Sequence, residues 1–504
     1  MSTIDWLSAV NGNFSDASKW AGGAVPGTDD KAVIGAKGGA YTVRVDDDVS
    51  VHKLVINSTH VTFVDNAQGA GLSIPYIELD RGTALLNTAN HNAHGTTVNG
   101  GTLEIGTGSA VGDLTLNGGK VITITNTTLH DKITLGGGSV DLDAANGTQL
   151  KVYSSWAETG DSDATTLTLG HAGGTEKIVI AGTGTDNFPF FDWGHVVLAG
   201  GTLSSGAGSN SFAFDDMLGR ATSVEIDGKL VLGTSGGVSL NGLTGSGTIV
   251  GSSGSQAPVD LFLSNANFAG KFLGNQILNA FGDVRLSGIA NTDITVVMGA
   301  GEDVLDLSKF IQNTPYVVSV SVPSNATATI VIGTSDYSAP KITGFEHGGT
   351  FVDAREFAPG SFTVMLFDDG HGGTQVFLQN KQGHENQSFT LSNVSPAQVM
   401  TSLFQQPDGR GGTKFYWSGP PPGVAIGDRF DFSSSDGAGA HAREMLALSD
   451  ADAHMAGSAG THFDFGVASG LAAMDHALSG AMHAVLDHII AHEPVWHHAA
   501  LVLD

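Results

Sequence analysis

The 504-residue chain is expected to be all-β: a β-solenoid (β-helix) with a β-rich C-terminal extension and a short helical C-terminal segment. Three observations carry that expectation. Glycine supplies 71 residues and cysteine none. The hydrophobic residues, 40% of the chain, fall in short runs that alternate with polar ones. One unit (strand, Gly-rich turn, strand) recurs at near-constant length. Period-two alternation marks half-buried strands. Gly-Gly and Asn-Gly turns need positive φ, where a Cβ would clash. A glycine content this high otherwise signals collagen or disorder. There is no Gly-X-Y period, and the alternating apolar runs argue against disorder.

Residues 1–30 read as an N-terminal cap. Trp6, Phe14, Trp20 and Val25-Pro26-Gly27 precede the first alternating strands, near 32–34 and 41–45. A solenoid needs a covered end, because an open terminal coil exposes a strand edge. Residues 31–295 read as the solenoid itself. Segments 96–105, 114–123 and 133–142 align, with turns starting at 99, 117 and 136, so the coils are 18 and 19 residues long. The unit returns at 196–203 and, more loosely, at 236–240. A β-sandwich also has short strands, roughly 8–12 residues apart. The near-constant coil length favours stacked coils, each burying its inward face on the next.

The stretch Asn13-Phe14-Ser15-Asp16-Ala17-Ser18-Lys19-Trp20, continuing to Val25-Pro26-Gly27-Thr28-Asp29-Asp30-Lys31-Ala32-Val33-Ile34, carries a resemblance. It is similar to a module that opens many large bacterial surface and secreted β-helix proteins, adhesin-like and autotransporter-like chains among them. The resemblance covers residues 1–60 and the repeat style that follows. It implies architecture and brings no catalytic residues.

Residues 296–380 read as the β-rich extension. Gly299, Gly301, Asp303 and Leu305 match a Gly-Gly-x-Gly-x-Asp-x-apolar nonapeptide, with Met298 in place of the first Gly. The segment resembles the end of an RTX calcium roll, in which turn carboxylates hold Ca²⁺ between coils. That resemblance makes Asp303 and Asp306 calcium candidates. A single copy lacks the neighbour that completes the shell, and a plain Gly turn entering a strand explains the same residues. Residues 342–353 resemble a degenerate segment of bacterial type I secreted proteins, with Gly349 where an aspartate is expected. Residues 362–367 and 374–378 form an expected hairpin around Asp368-Asp369-Gly370-His371-Gly372-Gly373. Asp368 and Asp369 are the other calcium candidates.

Residues 381–440 read as a linker region, most plainly at Ser418-Gly419-Pro420-Pro421-Pro422-Gly423 and over 433–440. Residues 441–504 switch composition: Arg443 is the only Lys or Arg, and nine of the 19 histidines lie there. Helical spacing puts Leu471, Met474, Leu478, Met482, Val485, Leu486 and Ile489 on one stripe, and Pro494 stops the helix. The segment resembles an uncleaved type I secretion signal, and a capping or self-association helix explains it equally. Such a signal fits an extracellular or cell-surface location in a bacterium. It also fits the N-terminus, which lacks a basic patch followed by an apolar run. His488 and His492, four residues apart, are candidates for a transition metal shared on one helix face. A zincin motif fails, because Trp496 stands where the second histidine would be and Pro494 breaks the helix.

Charge narrows the partners. Fifty Asp and Glu against 22 Lys and Arg give a formal charge of −28. Affinity for nucleic acid comes from neutralising phosphates with Lys and Arg, so nucleic acid is excluded as a partner. No apolar run approaches the roughly 18 residues that cross a bilayer. The densest acids, Asp29-Asp30, Asp46-Asp47-Asp48, Asp141 with Asp143, and Asp368-Asp369, read mainly as turn residues with local backbone hydrogen bonds. Phe188-Pro189-Phe190-Phe191-Asp192-Trp193 interrupts the Gly rhythm, as a packed bend or a sugar-stacking loop. No nucleophile elbow, Walker loop or dinucleotide fingerprint occurs in a credible setting. The expectation is a structural or adhesive protein of a bacterial surface or matrix. It would self-associate as an oligomer, filament or layer, with Ca²⁺ and surface polysaccharide as candidate ligands. A polysaccharide lyase or hydrolase on a β-helix is the alternative.

Overall fold

In the strand Thr102–Ile105, Leu103 and Ile105 are fully buried while Thr102 and Glu104 face outward. A strand buried on one side only must find backbone partners on both edges and apolar partners beneath it. The computed structural model of the chain shows how: it is a β-solenoid. Thr102–Ile105 lies parallel between Tyr76–Leu86 and Gly119–Thr123. Its Leu103 stacks between Ala84 and Val121, and the column continues through Leu142, Leu169, Leu198 and Ile226. On a second face Leu150, Ile178, Leu203, Leu230, Ile249 and Phe272 form another column. Each fully buried aliphatic side chain contributes about 1.5–3 kcal/mol. Stability therefore lies in the columns rather than in any single coil.

The structure describes residues 1–417 and the short strand Asp428–Arg429, apart from 66–70, 88–92, 108, 110, 155, 160–164, 181–192, 206–216, 233–236, 253–255, 313–315, 334–338 and 382–385. The described residues belong to one compact unit, Met1–Arg443. The expected C-terminal helix, with His488 and His492, lies outside them, as does the aromatic loop 188–192.

The turns follow the repeat. Asn99 donates its Nδ2 to Asp80 Oδ1, and Asn117 donates to Asn99 Oδ1, both at 2.7 Å. The Asn of each Asn-Gly turn thus stacks on the turn below. In the third copy Gly136 stands in place of the asparagine, and the Asn117 side-chain oxygen occupies the space a Cβ would take there. Gly101, at φ +76°, lies so close to the Gly82 carbonyl that no other residue fits.

The N-terminal residues pack onto the first coil. Thr3–Asp5 pairs with Lys31–Ile34, and Gly12–Asn13 with Tyr41–Val45, covering the edges of the first coil. Trp6 and Phe14 pack edge-on against Trp20 at 5.1 and 4.8 Å between ring centres. The Trp20 indole donates to the Phe14 carbonyl at 2.7 Å, which satisfies the buried N–H.

Two boundaries differ from the expectation. Parallel stacking does not end at 295. Val296 stacks on Val320 and Val320 on Ile342, while Leu305 stacks on Ile330 and Ile330 on Val352. The coils simply lengthen there and drop the Asn-Gly turn that marks them earlier. The stack closes on antiparallel strands, with Phe351–Ala354 paired to Thr413–Trp417. The expected hairpin is present, Phe362–Asp368 against Thr374–Asn380. The early part of the expected linker is also folded. Asn386–Leu391 joins a sheet, and Pro396–Ser402 is a helix whose capping box pairs Ser395 with Gln398. Phe389 and Phe415, both buried, anchor this end.

Candidate functional site

Coil length sets one region apart. Leu103 and Val121, stacked neighbours, are 18 residues apart in sequence, whereas Leu150 and Ile178 are 28 apart. The strands of the longer coils keep their register, so the extra residues collect at corners. One such corner joins Thr166–Leu169 to Lys177–Ile180. It lies over the corner that follows Ser139–Ala144 and under Gly200 and Gly201 of the next coil.

Three ligand-type side chains meet there. Asp143, His171 and Glu176 bring one donor atom each to within 4.8 Å of the others, the only such group of three or more among the described residues. His171 Nδ1 lies 3.0 Å from Asp143 Oδ1 and 3.6 Å from Glu176 Oε1. Lys120, two coils earlier than His171, reaches the other Asp143 oxygen at 2.8 Å. The Asp143 and Glu176 side chains are 4% and 0% exposed, and His171 covers them at 33%.

The surroundings define each group. Burial pushes the Asp143 carboxyl up, but hydrogen bonds from Lys120, His171 and the Ala144 N–H outweigh it and hold the pKa below the ordinary carboxylate value. The hydrogen bond to Asp143 raises the His171 pKa, against partial burial and the Lys120 charge, with Glu176 adding to the rise. Glu176 Oε1 accepts the His171 backbone N–H at 3.1 Å. Its Oε2 is buried and has no hydrogen-bond partner. Glycines make room for this carboxylate: a Cβ on Gly170, Gly174 or Gly201 would overlap it. The arrangement gathers one imidazole and two carboxylates at a solvent-edged corner, with the Lys120 ammonium held beside them.

The calcium candidates sit elsewhere. Asp303 turns inward and accepts the Gly282 N–H of the preceding coil at 2.7 Å. Both Asp306 oxygens are taken: Oδ1 by the Ser308 N–H and hydroxyl, and Oδ2 by Arg285 and Arg355 at 3.2 Å each. Asp368 accepts the Gly370 N–H, and Asp369 accepts the His371 and Gly373 N–H groups within the hairpin turn. None of the four joins a group of three or more His, Asp or Glu side chains among the described residues. Of the trio that does converge, sequence reading noticed only Asp143, as a turn acid. His171 and Glu176 left one signal, the coil that lengthens around Gly170-His171-Ala172-Gly173-Gly174.

A second concave surface, of about 590 Å³, opens beside the N-terminal cap. Lys37, His60 and Arg81 line it together with Asn57, Ser58 and Thr59. No described helix is long and apolar enough to cross a membrane. No protein-family model matches the chain, and neither the curated proteins nor the solved structures include a match.

Proposed function

We propose that the protein is an extracellular structural or adhesive component of a bacterial surface or matrix, and that it self-associates. The observation that carries this reading is the continuous stack, whose outward polar side chains align in columns. Thr97, Thr115 and Thr134 occupy register positions on three successive coils. Neighbouring strands lie about 4.8 Å apart, so such a column offers hydroxyls at a constant repeat. A repeated face suits polyvalent contact, where many weak interactions act together. The aromatic cap covers the first coil, which favours side-by-side contact over stacking at that end. A charge of −28 opposes close packing of chains, so Ca²⁺ acts in this reading as a counterion between faces. The Lys37, His60 and Arg81 groove suits an acidic surface polysaccharide, with cations for its carboxylates and Asn57 and Thr59 for its hydroxyls.

The alternative, an enzyme acting on polysaccharide, draws on the paired carboxylates Asp143 and Glu176 with Lys120. Among the described residues, no sugar-stacking aromatic is part of that cluster. The exposed stacked pair Phe262 and Phe281 belongs to later coils. The discriminating experiment is electron microscopy of the purified protein with and without Ca²⁺. Filaments, bundles or sheets that form on addition of Ca²⁺ are expected. Dispersed monomers under both conditions would overturn the structural reading.

A further inference from the structure

We propose that Asp143, His171 and Glu176 bind a single transition-metal dication of the Zn²⁺ type. This inference is independent of the structural or adhesive reading. The geometry carries it. Zinc bonds of about 2.0–2.1 Å at the tetrahedral angle put neighbouring ligand atoms about 3.3–3.4 Å apart. The two measured edges, 3.0 Å from Asp143 Oδ1 to His171 Nδ1 and 3.6 Å from His171 Nδ1 to Glu176 Oε1, straddle that value. The third edge, between the two carboxylate oxygens, lies within 4.8 Å, and it shortens as the metal draws the carboxylates together.

A buried, unpartnered oxygen makes this more than a cluster of acids. Glu176 is fully buried, and its Oε2 has no hydrogen-bond partner. Burying a carboxylate so incompletely paired is costly unless a cation compensates it. The ammonium at this corner, that of Lys120, is already committed to Asp143 Oδ2. That commitment turns Asp143 Oδ1 toward His171, as an outer hydrogen bond orients a metal ligand. The glycines around Glu176 hold open the space its carboxylate occupies. On binding, the metal takes the place of the His171 Nδ1 proton, which leaves to solvent.

The donor set selects the metal. One imidazole nitrogen and two carboxylates suit zinc and its first-row neighbours. Calcium prefers six to eight oxygens and gains little here. His171 is one-third exposed and leaves a fourth position facing solvent.

The test must separate this site from the nine histidines of 441–504. Hydrogen–deuterium exchange on the full-length chain, read by mass spectrometry, does so by location. Free Zn²⁺ at a hundredfold excess over Kd should slow opening-limited exchange about a hundredfold in peptides covering 139–152 and 170–180. Ca²⁺ at the same concentration should leave them unchanged. His171→Asn, at a partly exposed position, should keep the metal-free exchange pattern and lose the zinc effect. Gly174→Ala should weaken it by pushing a methyl group into the Glu176 carboxylate. Zinc protection confined to 441–504, no protection in the wild type, or protection that survives in His171→Asn would each overturn the proposal.

Discussion

Two regions of the same stack handle charged groups in opposite ways. Between residues 95 and 123 the coils are 18 residues long and bury only neutral polar side chains, Thr96 and Thr123, while Glu104, Asp113 and Lys120 stay at the surface. The turn amides there satisfy one another up the Asp80–Asn99–Asn117 ladder. Between 139 and 205 the coils lengthen, and Asp143 and Glu176 are buried at a corner. Yet the inward columns pass through both regions in register, Leu103 on Val121, Val121 on Leu142 and Leu142 on Leu169. The strands hold the fold while the corners are free to vary. Extra residues at a corner can therefore build a site without disturbing the core.

If that division is right, the largest effect should come from the shared column and not from the corner. Leu142 is fully buried where the two regions join. Leu142→Ala removes its contacts and leaves a cavity between stacked coils, at a cost of about 2–5 kcal/mol. Thermal or urea unfolding followed by circular dichroism should show that loss. A change below about 1 kcal/mol would mean that the coils do not share one core.

A second test contrasts two buried carboxylates. Glu176 has one unpartnered oxygen, whereas Asp306 is saturated by Ser308, Arg285 and Arg355. Burial raises the Asp306 pKa, but the Ser308 hydrogen bonds and the two guanidinium charges more than offset it, so the folded-state value lies below the ordinary one. A carboxylate depressed in this way stabilises the fold fully above the unfolded value of about 3.9, and the contribution fades as pH falls through the lower folded value. Its neighbour Asp353 runs the other way, raised by burial and by Asp408 against the pull of Arg355, Lys414 and Arg410. Asp306→Asn should therefore lower stability at neutral pH and converge with the wild type in acid. Parallel stability curves from pH 7 down to pH 2 would contradict the assignment.

The fold was legible because its signals are local. Alternation within each strand and the Asn-Gly turns at 99 and 117 describe one coil and repeat it. The stack's extent was less legible, because coils beyond 295 keep the alternation, as in Val318–Ser321 and Thr327–Ile332, but lose that turn. The site was nearly invisible for a related reason. His171 lies 28 residues after Asp143 in sequence, and only the length of that coil says the two are neighbours. Coil length is a sum over the strands and corners between them, so no local pattern displays it. Asp303 and Asp306 show the converse. Their local motif points to an ion, whereas the partners that the stack brings to them, the Gly282 N–H, Arg285 and Arg355, come from other coils and leave no trace in the motif.

The smallest effects separate what the regular coils need from what their surface offers. Asn117→Ala breaks the 2.7 Å bond to Asn99 on an exposed turn, and such a bond contributes about 0.5–1.5 kcal/mol. Thr115→Val, two residues earlier, keeps the β-branched shape that a strand favours. It faces outward in the column with Thr97 and Thr134, so its stability should change by less than about 0.5 kcal/mol. If the column serves contact between chains, Thr115→Val should alter Ca²⁺-dependent bundling, measured by light scattering, while Asn117→Ala leaves it unchanged. The reverse pattern would move the contact surface from the face to the turn. In either case, stability and assembly would be governed by different residues of one coil, because the inward side chains build the stack and the outward ones remain available for contact.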